Sequence, residues 1–236
     1  MKLGFIYAGQ GTQYVGMGQS FYENDEDCKN LLDSVELDFD LKDIMFNSDE
    51  KTISMTRFTQ PAMVAVANMA TLLLKKNGIT PDYVCGLSLG EYSALSAAGV
   101  FDPETAIQVV RERGLAMEKA AEGVESAMMA ILGLEREPLL DICVGCDGYV
   151  SIANYNCPGQ LVIAGEKKAV EEAGQKALDN GARRAVPLNT SGPFHTKLLK
   201  DASVRLHEVF KDVTFHEMNV PVIFNCTGKE LEDCSV

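Results

Sequence analysis

The chain has 236 residues, of which 46% are hydrophobic and 23% are charged. This composition is typical of a globular protein and excludes a disordered or fibrous chain. The 34 acidic residues outnumber the 21 basic ones and give a formal net charge of −13, which argues against nucleic acid as a partner.

The apolar stretches and the cysteines bear on where the protein works. The longest apolar stretch, residues 62–74, is interrupted by Asn68 and Thr71 and is too short to span a bilayer, so we expect no membrane association. The seven cysteines are odd in number and irregularly spaced, which argues against a secreted disulfide framework and favours the cytoplasm. Cys143 and Cys146 form one CxxC pair without a second pair or nearby histidines, so we predict neither a metal site nor a cofactor.

Predicted strands and helices alternate in the first half of the chain. They are strand 3–7, helix 59–76, strand 83–85, helix 91–98 and helix 103–121. Thr59 and Asp102 are the predicted N-caps of two of these helices. Residues 38–46 are too irregular to assign. The alternation predicts a parallel sheet covered by helices.

The middle of the chain has a different pattern of elements. It reads as strand 127–132, helix 135–144, strand 150–154, strand 161–164, helix 167–178 and strand 185–188. The order β-α-β-β-α-β is the signature of a ferredoxin-like unit. A helix over residues 196–210 then returns to the core. We therefore predict an α/β fold, with a parallel-sheet core over residues 1–124 and 196–236 and a ferredoxin-like subdomain over residues 125–195.

The sequence GLSLG at residues 86–90 is the strongest chemical signal in the chain. A G-x-S-x-G pattern between a buried strand and a helix is typical of a nucleophile elbow, whose sharp turn exposes the serine hydroxyl. Ser88 would then lie at a helix N-terminus, where developing negative charge is stabilised. The alternative is an ordinary Ser-Gly turn, and we favour the nucleophile.

A serine nucleophile needs a base, and the chain has three histidines. His207 lies in a helical stretch among charged neighbours, which is typical of a solvated residue. His216 lies where the chain enters a predicted strand. His195 lies in a Gly-Pro loop just before a helix, where active-site residues often occur. We therefore predict His195 as the base, against the alternative of a structural histidine at a helix start.

An oxyanion would need backbone N–H donors near the serine. One is the N–H of Leu89, directly after the nucleophile, and the other is expected from the glycine-rich loop 8–13. On spacing alone this loop could also be a weak phosphate cradle, but it lacks the lysine of a P-loop and the full GxGxxG pattern. Arg113 lies in a predicted helix, where the sequence alone favours a solvated arginine.

Several motifs together resemble the malonyl-CoA:acyl carrier protein transacylases, and the resemblance runs through essentially the whole chain. The motifs, in the family's order, are AGQGTQ at 8–13, FTQPA at 58–62, GLSLGEYSAL at 86–95, RG at 113–114, ANYNCPGQLVIAG at 153–165 and SGPFH at 191–195. The resemblance implies an α/β-hydrolase-like core with a ferredoxin-like subdomain. It also implies that the substrate is malonyl-CoA and the partner an acyl carrier protein of fatty acid biosynthesis.

The resemblance also implies roles for five residues. Ser88 would be the nucleophile and His195 the base of a ping-pong reaction through a malonyl-serine intermediate. Arg113 would pair with the free malonyl carboxylate, and Gln10 and Leu89 would supply the oxyanion N–H groups. Carrier proteins of this kind are acidic, so docking to this acidic chain would need a basic patch, for which the candidates are Arg183, Arg184, Lys197 and Lys200.

The chain departs from the family in two places. Leu87 stands where the family usually has histidine before the serine, which bears on acyl selectivity. Members continue beyond the position that matches Val236, and we expect a missing segment that supplies sheet, helix and the carbonyl orienting the histidine.

Three alternatives remain open. The first is a serine esterase or thioesterase, whose acid would be Asp141, Asp147 or Asp179. The second is an acyltransferase that serves a polyketide carrier protein. The third is a non-catalytic acyl-binding or carrier-binding module.

Overall fold

The computed structural model describes residues 2–190 and 192–231. In chain order the first elements are β1 Gly4–Tyr7, α1 Gln19–Asn24, α2 Glu26–Ser34, α3 Leu41–Phe46, α4 Glu50–Ile53, α5 Thr56–Lys76, β2 Tyr83–Gly86, α6 Gly90–Ala97 and α7 Pro103–Ala121. They are followed by β3 Ser126–Leu132, α8 Arg136–Val144, β4 Val150–Cys157, β5 Gln160–Glu166, α9 Lys167–Asp179, β6 Arg184–Leu188, a 3₁₀ turn Lys197–Leu199, α10 Lys200–Phe210 and β7 Val222–Ile223.

The chain divides into two compact units. The first contains the described residues up to Leu115 and those from Glu208 onward, and the second contains Ala116–His207. The chain passes between the units within α7 and within α10. These boundaries differ from the sequence prediction, which placed the subdomain at residues 125–195, so the extent of that subdomain stays a prediction.

The first unit contains a parallel sheet with strand order β1-β2-β7. Helix α5 packs on the face that carries Tyr7, whose hydroxyl lies 2.7 Å from the Thr71 hydroxyl. The predicted cover of helices is incomplete among the described residues, because Ile6 on the opposite face of β1 is 82% exposed. The α/β class predicted from the alternating pattern is confirmed.

Four helices before α5 went unrecognised in the sequence. Each of α2, α3 and α4 begins after an aspartate whose carboxylate accepts backbone N–H bonds, namely Asp25, Asp40 and Asp49. The first of these helices, α1, has no side-chain cap of this kind. These helices are short, and so the periodic apolar pattern that reveals longer helices is weak in them.

Two predicted helix caps have opposite outcomes. Asp102 caps α7, since its Oδ1 accepts the Thr105 N–H at 2.8 Å, and the prediction is confirmed. The prediction of Thr59 as a cap is wrong, because α5 begins three residues earlier and the Thr59 hydroxyl is buried, donating to the Ile53 carbonyl at 2.6 Å. A threonine and proline inside a helix gave the same local signal as a helix start.

The second unit contains an antiparallel sheet with strand order β4-β5-β3-β6. This is the strand order of the β-α-β-β-α-β ferredoxin-like unit, as the sequence predicted. Alternate residues of β3 separate into two apolar clusters. Met129 and Ile131 pack in the cluster that includes residues of α8 and α9, whereas Met128 and Ala130 belong to another cluster. The period of two places one set of side chains on each face.

Among the described residues, no helix is long and apolar enough to cross a membrane. In the same part of the chain, no group of three or more histidine, cysteine or acidic side chains is placed to hold a metal ion.

Candidate active site

Ser88 lies in a sharp turn between β2 and α6. Its φ angle is +52°, in the left-handed region. The two flanking glycines are required by close packing: a Cβ on Gly86 would overlap the backbone of Gly90, and a Cβ on Gly90 would overlap the Tyr7 carbonyl. The G-x-S-x-G pattern therefore has the steric basis that a nucleophile elbow needs.

Only Ser88 and His195, among the described non-glycine residues, have a positive φ angle. The φ angle of His195 is +60°. Such a backbone costs about 1–2 kcal/mol at a non-glycine residue, and strained residues of this kind cluster at active sites and ligand-binding sites. The backbone thus sets the predicted nucleophile and base apart from the other described non-glycine residues.

His195 belongs to the second unit, whereas Ser88 belongs to the first. The loop before His195 is anchored by Phe194, which packs in two apolar clusters of the second unit. The loop after it is closed by Thr196, whose hydroxyl donates to the Pro193 carbonyl at 2.7 Å and accepts the Leu198 N–H. The imidazole is therefore exposed on a loop whose two ends are held.

Loop 8–13 lies beside the elbow because β1 and β2 are neighbours in the sheet. Tyr7 pairs with Gly86, and the Leu87 N–H donates to the Tyr7 carbonyl at 3.1 Å. The Gln10 side chain donates to the Thr56 hydroxyl at 3.2 Å, which ties this loop to the start of α5. The elbow and the loop thus approach each other within the first unit.

The backbone N–H groups of Gln10 and Leu89 donate no hydrogen bond within the described part of the chain. The neighbouring N–H groups of Leu87, Gly90 and Glu91 all have backbone acceptors. Two unused N–H donors, one next to the nucleophile and one in the neighbouring loop, are what a developing oxyanion requires. The oxyanion role of these two residues stays a prediction.

Arg113 is buried, with 7% of its surface exposed, and its Nη2 donates to the Ser88 hydroxyl at 3.2 Å. The sequence-based expectation of a solvated arginine is therefore wrong. No carboxylate of the described residues lies within ion-pair distance of this guanidinium. Arg111 differs in this respect, because it pairs with Asp38 and Glu112. Helical pattern alone places both arginines on one helix and does not distinguish them, whereas the family motif and the burial both single out Arg113.

The groups around Arg113 have shifted pKa values. Burial lowers the pKa of Arg113, and the neighbouring Tyr92 and Glu91 oppose this effect. Burial also raises the pKa of Tyr92, whose ring centroid lies 5.4 Å from the guanidinium carbon. The pKa of Glu91 is raised by burial as well, against the effects of a backbone hydrogen bond from Asn225 and of the Arg113 charge. The site therefore has a buried cation beside the nucleophile, with two further buried titratable groups around it.

Asn225 is a site residue that the sequence analysis missed. Its Oδ1 accepts the Ser88 N–H at 2.7 Å, and its Nδ2 donates to the Gly86 carbonyl. The available signal was its position two residues after β7, because polar residues that follow parallel strands gather at one edge of the sheet.

The other histidines and the candidate triad acids are placed as follows. His207 is exposed on α10, as predicted. The prediction that His216 enters a strand is wrong, since residues 213–219 are irregular and its N–H donates to Val100. The three possible acids of an esterase triad are all exposed, whereas a triad aspartate is a buried group; they are Asp141, Asp147 and Asp179.

Comparison with known proteins identifies the family. The family described as acyl transferase domain matches residues 4–233. The malonyl CoA-acyl carrier protein transacylase of Bacillus subtilis is 42% identical over 232 residues, which cover 96% of this chain and 73% of that protein. The chain belongs to the malonyl-CoA:acyl carrier protein transacylase family. It is therefore an acyltransferase, and the resemblance found in the sequence motifs is confirmed.

Solved structures of the transacylase family agree with this fold. The enzyme of Streptococcus pneumoniae has a TM-score of 0.92 at 41% identity, over 98% of this chain and 77% of that one. The transacylase of Clostridium perfringens has a TM-score of 0.93 at 38% identity, over 100% and 76% of the two chains. A malonyl-transacylase in complex with a type II PKS acyl-carrier protein has a TM-score of 0.92 at 34% identity, over 99% and 77%.

Proposed function

We propose that the protein transfers a malonyl group from malonyl-CoA to the phosphopantetheine thiol of an acyl carrier protein in fatty acid biosynthesis. The observation that carries this proposal is the buried Arg113 beside Ser88, with no carboxylate partner among the described residues. A buried cation is stabilised by a partner anion. The free carboxylate of a malonyl group supplies that anion and can be bound bidentately by the planar guanidinium.

The reaction has two half-reactions through one covalent intermediate. Ser88 Oγ attacks the thioester carbonyl of malonyl-CoA while His195 takes the hydroxyl proton, and CoA leaves as a thiol with that proton. His195 then takes the proton of the incoming phosphopantetheine thiol, whose sulfur attacks the malonyl-serine ester. Ser88 leaves as the alkoxide and recovers its proton from His195.

The oxyanion of both tetrahedral intermediates would be held by the backbone N–H groups of Gln10 and Leu89. The lack of other acceptors for these two donors supports this assignment. Removing one oxyanion donor from a serine protease slows catalysis about 10²–10³-fold, so the pair would carry a large part of the rate.

A polyketide carrier protein is a second candidate acceptor, supported by the similarity to the malonyl-transacylase in complex with a type II PKS carrier. The exposed positions of the three candidate triad acids do not favour the thioesterase alternative. We also propose a cytoplasmic location, supported by the six described cysteines, none of which forms a disulfide.

Intact mass after mixing with malonyl-CoA tests the proposal. We expect one malonyl group on the wild-type chain and none on Ser88→Ala, because the acyl group is stored on the nucleophile. Ser93→Ala removes a buried hydroxyl from α6, the helix that follows Ser88, and should label fully. Equal labelling of Ser88→Ala would show that another group is the nucleophile, and an unlabelled wild-type chain would contradict the transferase proposal.

A further inference from the structure

The side chain of Asn225, which follows β7, binds the elbow from the strand that neighbours β2 on the side opposite β1. Its Oδ1 accepts the Ser88 N–H at 2.7 Å while its Nδ2 donates to the Gly86 carbonyl, across 137 and 139 sequence positions. The Asn225 backbone also lies near the Glu91 carboxylate, where it lowers the pKa of that group. One side chain therefore bonds both the end of the strand and the nucleophile.

These bonds continue the pairing of β2 with β7 past the end of the ladder. In the ladder, Val84 N–H donates to the Pro221 carbonyl at 3.0 Å. Ser88 leaves the strand direction, and so the backbone after β7 cannot pair with it in the same way. A side-chain amide carries the same donor and acceptor as a peptide group. The Asn225 amide thus takes the place of the next peptide unit opposite the elbow.

We propose that Asn225 is a positioning residue for the nucleophile. This inference deepens the proposed function, on which it rests. The left-handed backbone of Ser88 is unfavourable by itself. The two hydrogen bonds of the Asn225 side chain stabilise this turn because they fix the Gly86 carbonyl and the Ser88 N–H. They also occupy the Ser88 N–H, so this N–H is not available to an oxyanion, which leaves the Leu89 N–H as the donor next to the nucleophile.

The first test measures how fast Ser88 reacts with an alkyl fluorophosphonate. This reagent needs no malonyl group: an O–P bond forms at Ser88, the P–F bond breaks, and the hydroxyl proton leaves with fluoride. We expect Asn225→Ala to slow this reaction and malonylation alike, roughly 10- to 100-fold, because a nucleophile misplaced by about 1 Å loses rate on that scale.

A second variant gives a readout that a merely structural role would not change. In Asn225→Asp, the ionised carboxylate keeps the acceptor for Ser88 N–H but faces the Gly86 carbonyl with an oxygen lone pair. The protonated acid restores a donor there. We expect the phosphonylation rate of Asn225→Asp, divided by that of the wild-type protein, to rise as the pH falls. The same ratio for Asn225→Ala should not change with pH. Glu91, which lies near the Asn225 backbone, and Arg113, whose charge acts on Glu91, are common to all three proteins.

Asn68→Ala is the matched control. Asn68 is buried, whereas Asn225 is exposed, and the Asn68 Nδ2 donates to the Pro103 carbonyl at 3.0 Å away from the elbow. The Asn68→Ala variant should have a lower stability than the wild-type protein but the same rate of Ser88 phosphonylation. Wild-type phosphonylation by folded Asn225→Ala, or an equal slowing in Asn68→Ala, would overturn the proposal. If the alanine variant does not fold, a flat ratio for Asn225→Asp would overturn it. Phosphonylation of a wild-type chain that malonyl-CoA does not label would contradict the transferase proposal alone.

Discussion

At the scale of single residues, the site depends on a guanidinium that is buried without a carboxylate partner among the described residues. Arg113 donates to the Ser88 hydroxyl and lies over the Tyr92 ring, which leaves it positioned beside the reacting atom. In the proposed function, a malonyl thioester would bring a carboxylate to this cation, whereas an acetyl thioester would leave it without one. The same contact would then stabilise one substrate and penalise the other.

Arg113→Ala should lower kcat/KM for malonyl-CoA and raise kcat/KM for acetyl-CoA. A charge-assisted hydrogen bond contributes about 1.5–3 kcal/mol, which corresponds to roughly 10- to 150-fold in kcat/KM. Arg113→Lys should restore only part of the rate, because an ammonium cannot form the bidentate pair. The measurement is kcat/KM for both thioesters on each variant.

Arg111→Ala is the control for this prediction, since Arg111 lies on the same helix with its charge already paired to Asp38 and Glu112. Its malonyl-to-acetyl ratio should match that of the wild-type protein. If Arg113→Ala also keeps the wild-type ratio, this arginine does not select the acyl group.

At the scale of elements, the elbow requires β1, β2 and α6 to approach within backbone contact. A Cβ at Gly90 would overlap the Tyr7 carbonyl and lie 2.8 Å from the Ala8 carbonyl, and backbone atoms cannot move aside as a flexible side chain can. At Gly4, in the same strand pair, the nearest atom to an added Cβ is the Tyr83 carbonyl at 3.8 Å. Substitution at Gly90 therefore tests the close approach of the backbones, and substitution at Gly4 shows the effect of replacing a glycine where there is room.

Gly90→Ala should therefore lower the free energy of unfolding by about 1–3 kcal/mol, as overpacking does. Gly4→Ala should change it by less than about 1 kcal/mol. Urea unfolding midpoints of the two variants check this prediction. Equal midpoints would mean that the contact of α6 with the end of β1 is not tight.

At the scale of the whole molecule, the charge of −13 repels an acidic carrier protein. The candidate docking residues all belong to the second unit and are exposed, and the Lys197 ammonium lies 4.1 Å from the centroid of the Tyr149 ring. Exposed basic residues can attract a carrier protein at short range while salt screens the net repulsion beyond a Debye length of about 10 Å at 0.1 M.

Charge reversal at Lys197 and Lys200 should slow transfer to an acidic carrier protein about tenfold or more at low ionic strength. Malonylation of Ser88 by malonyl-CoA should stay near the wild-type rate, and added salt should reduce the difference. Reversal at Lys29 and Lys51, which are exposed in the first unit, makes the same change in net charge and serves as the control. Equal slowing of both half-reactions, or by both pairs, would contradict docking at this patch.

The sequence by itself determined the features that depend on neighbouring residues. The turn around Ser88, the Asp102 cap and the order of strands and helices in the second unit follow from short patterns, because backbone conformation is set locally by sterics and capping. Family motifs added the remaining site residues, which spacing alone could not have assigned. Thr59 shows the limit of such patterns, since a local cap signal occurred inside a helix.

Only the tertiary structure decided which residues surround the nucleophile. Arg111 and Arg113 share a helix and a chemistry, yet one is paired near the surface and the other is buried against Ser88. Asn225 reaches the elbow across 137 positions, through strand pairing that no local pattern encodes. Burial and contact arise from the packing of distant segments, and they govern the pKa and the available hydrogen bonds of each group. The sequence therefore determines which chemical groups are available, and the assembled sheet determines which of them contact Ser88.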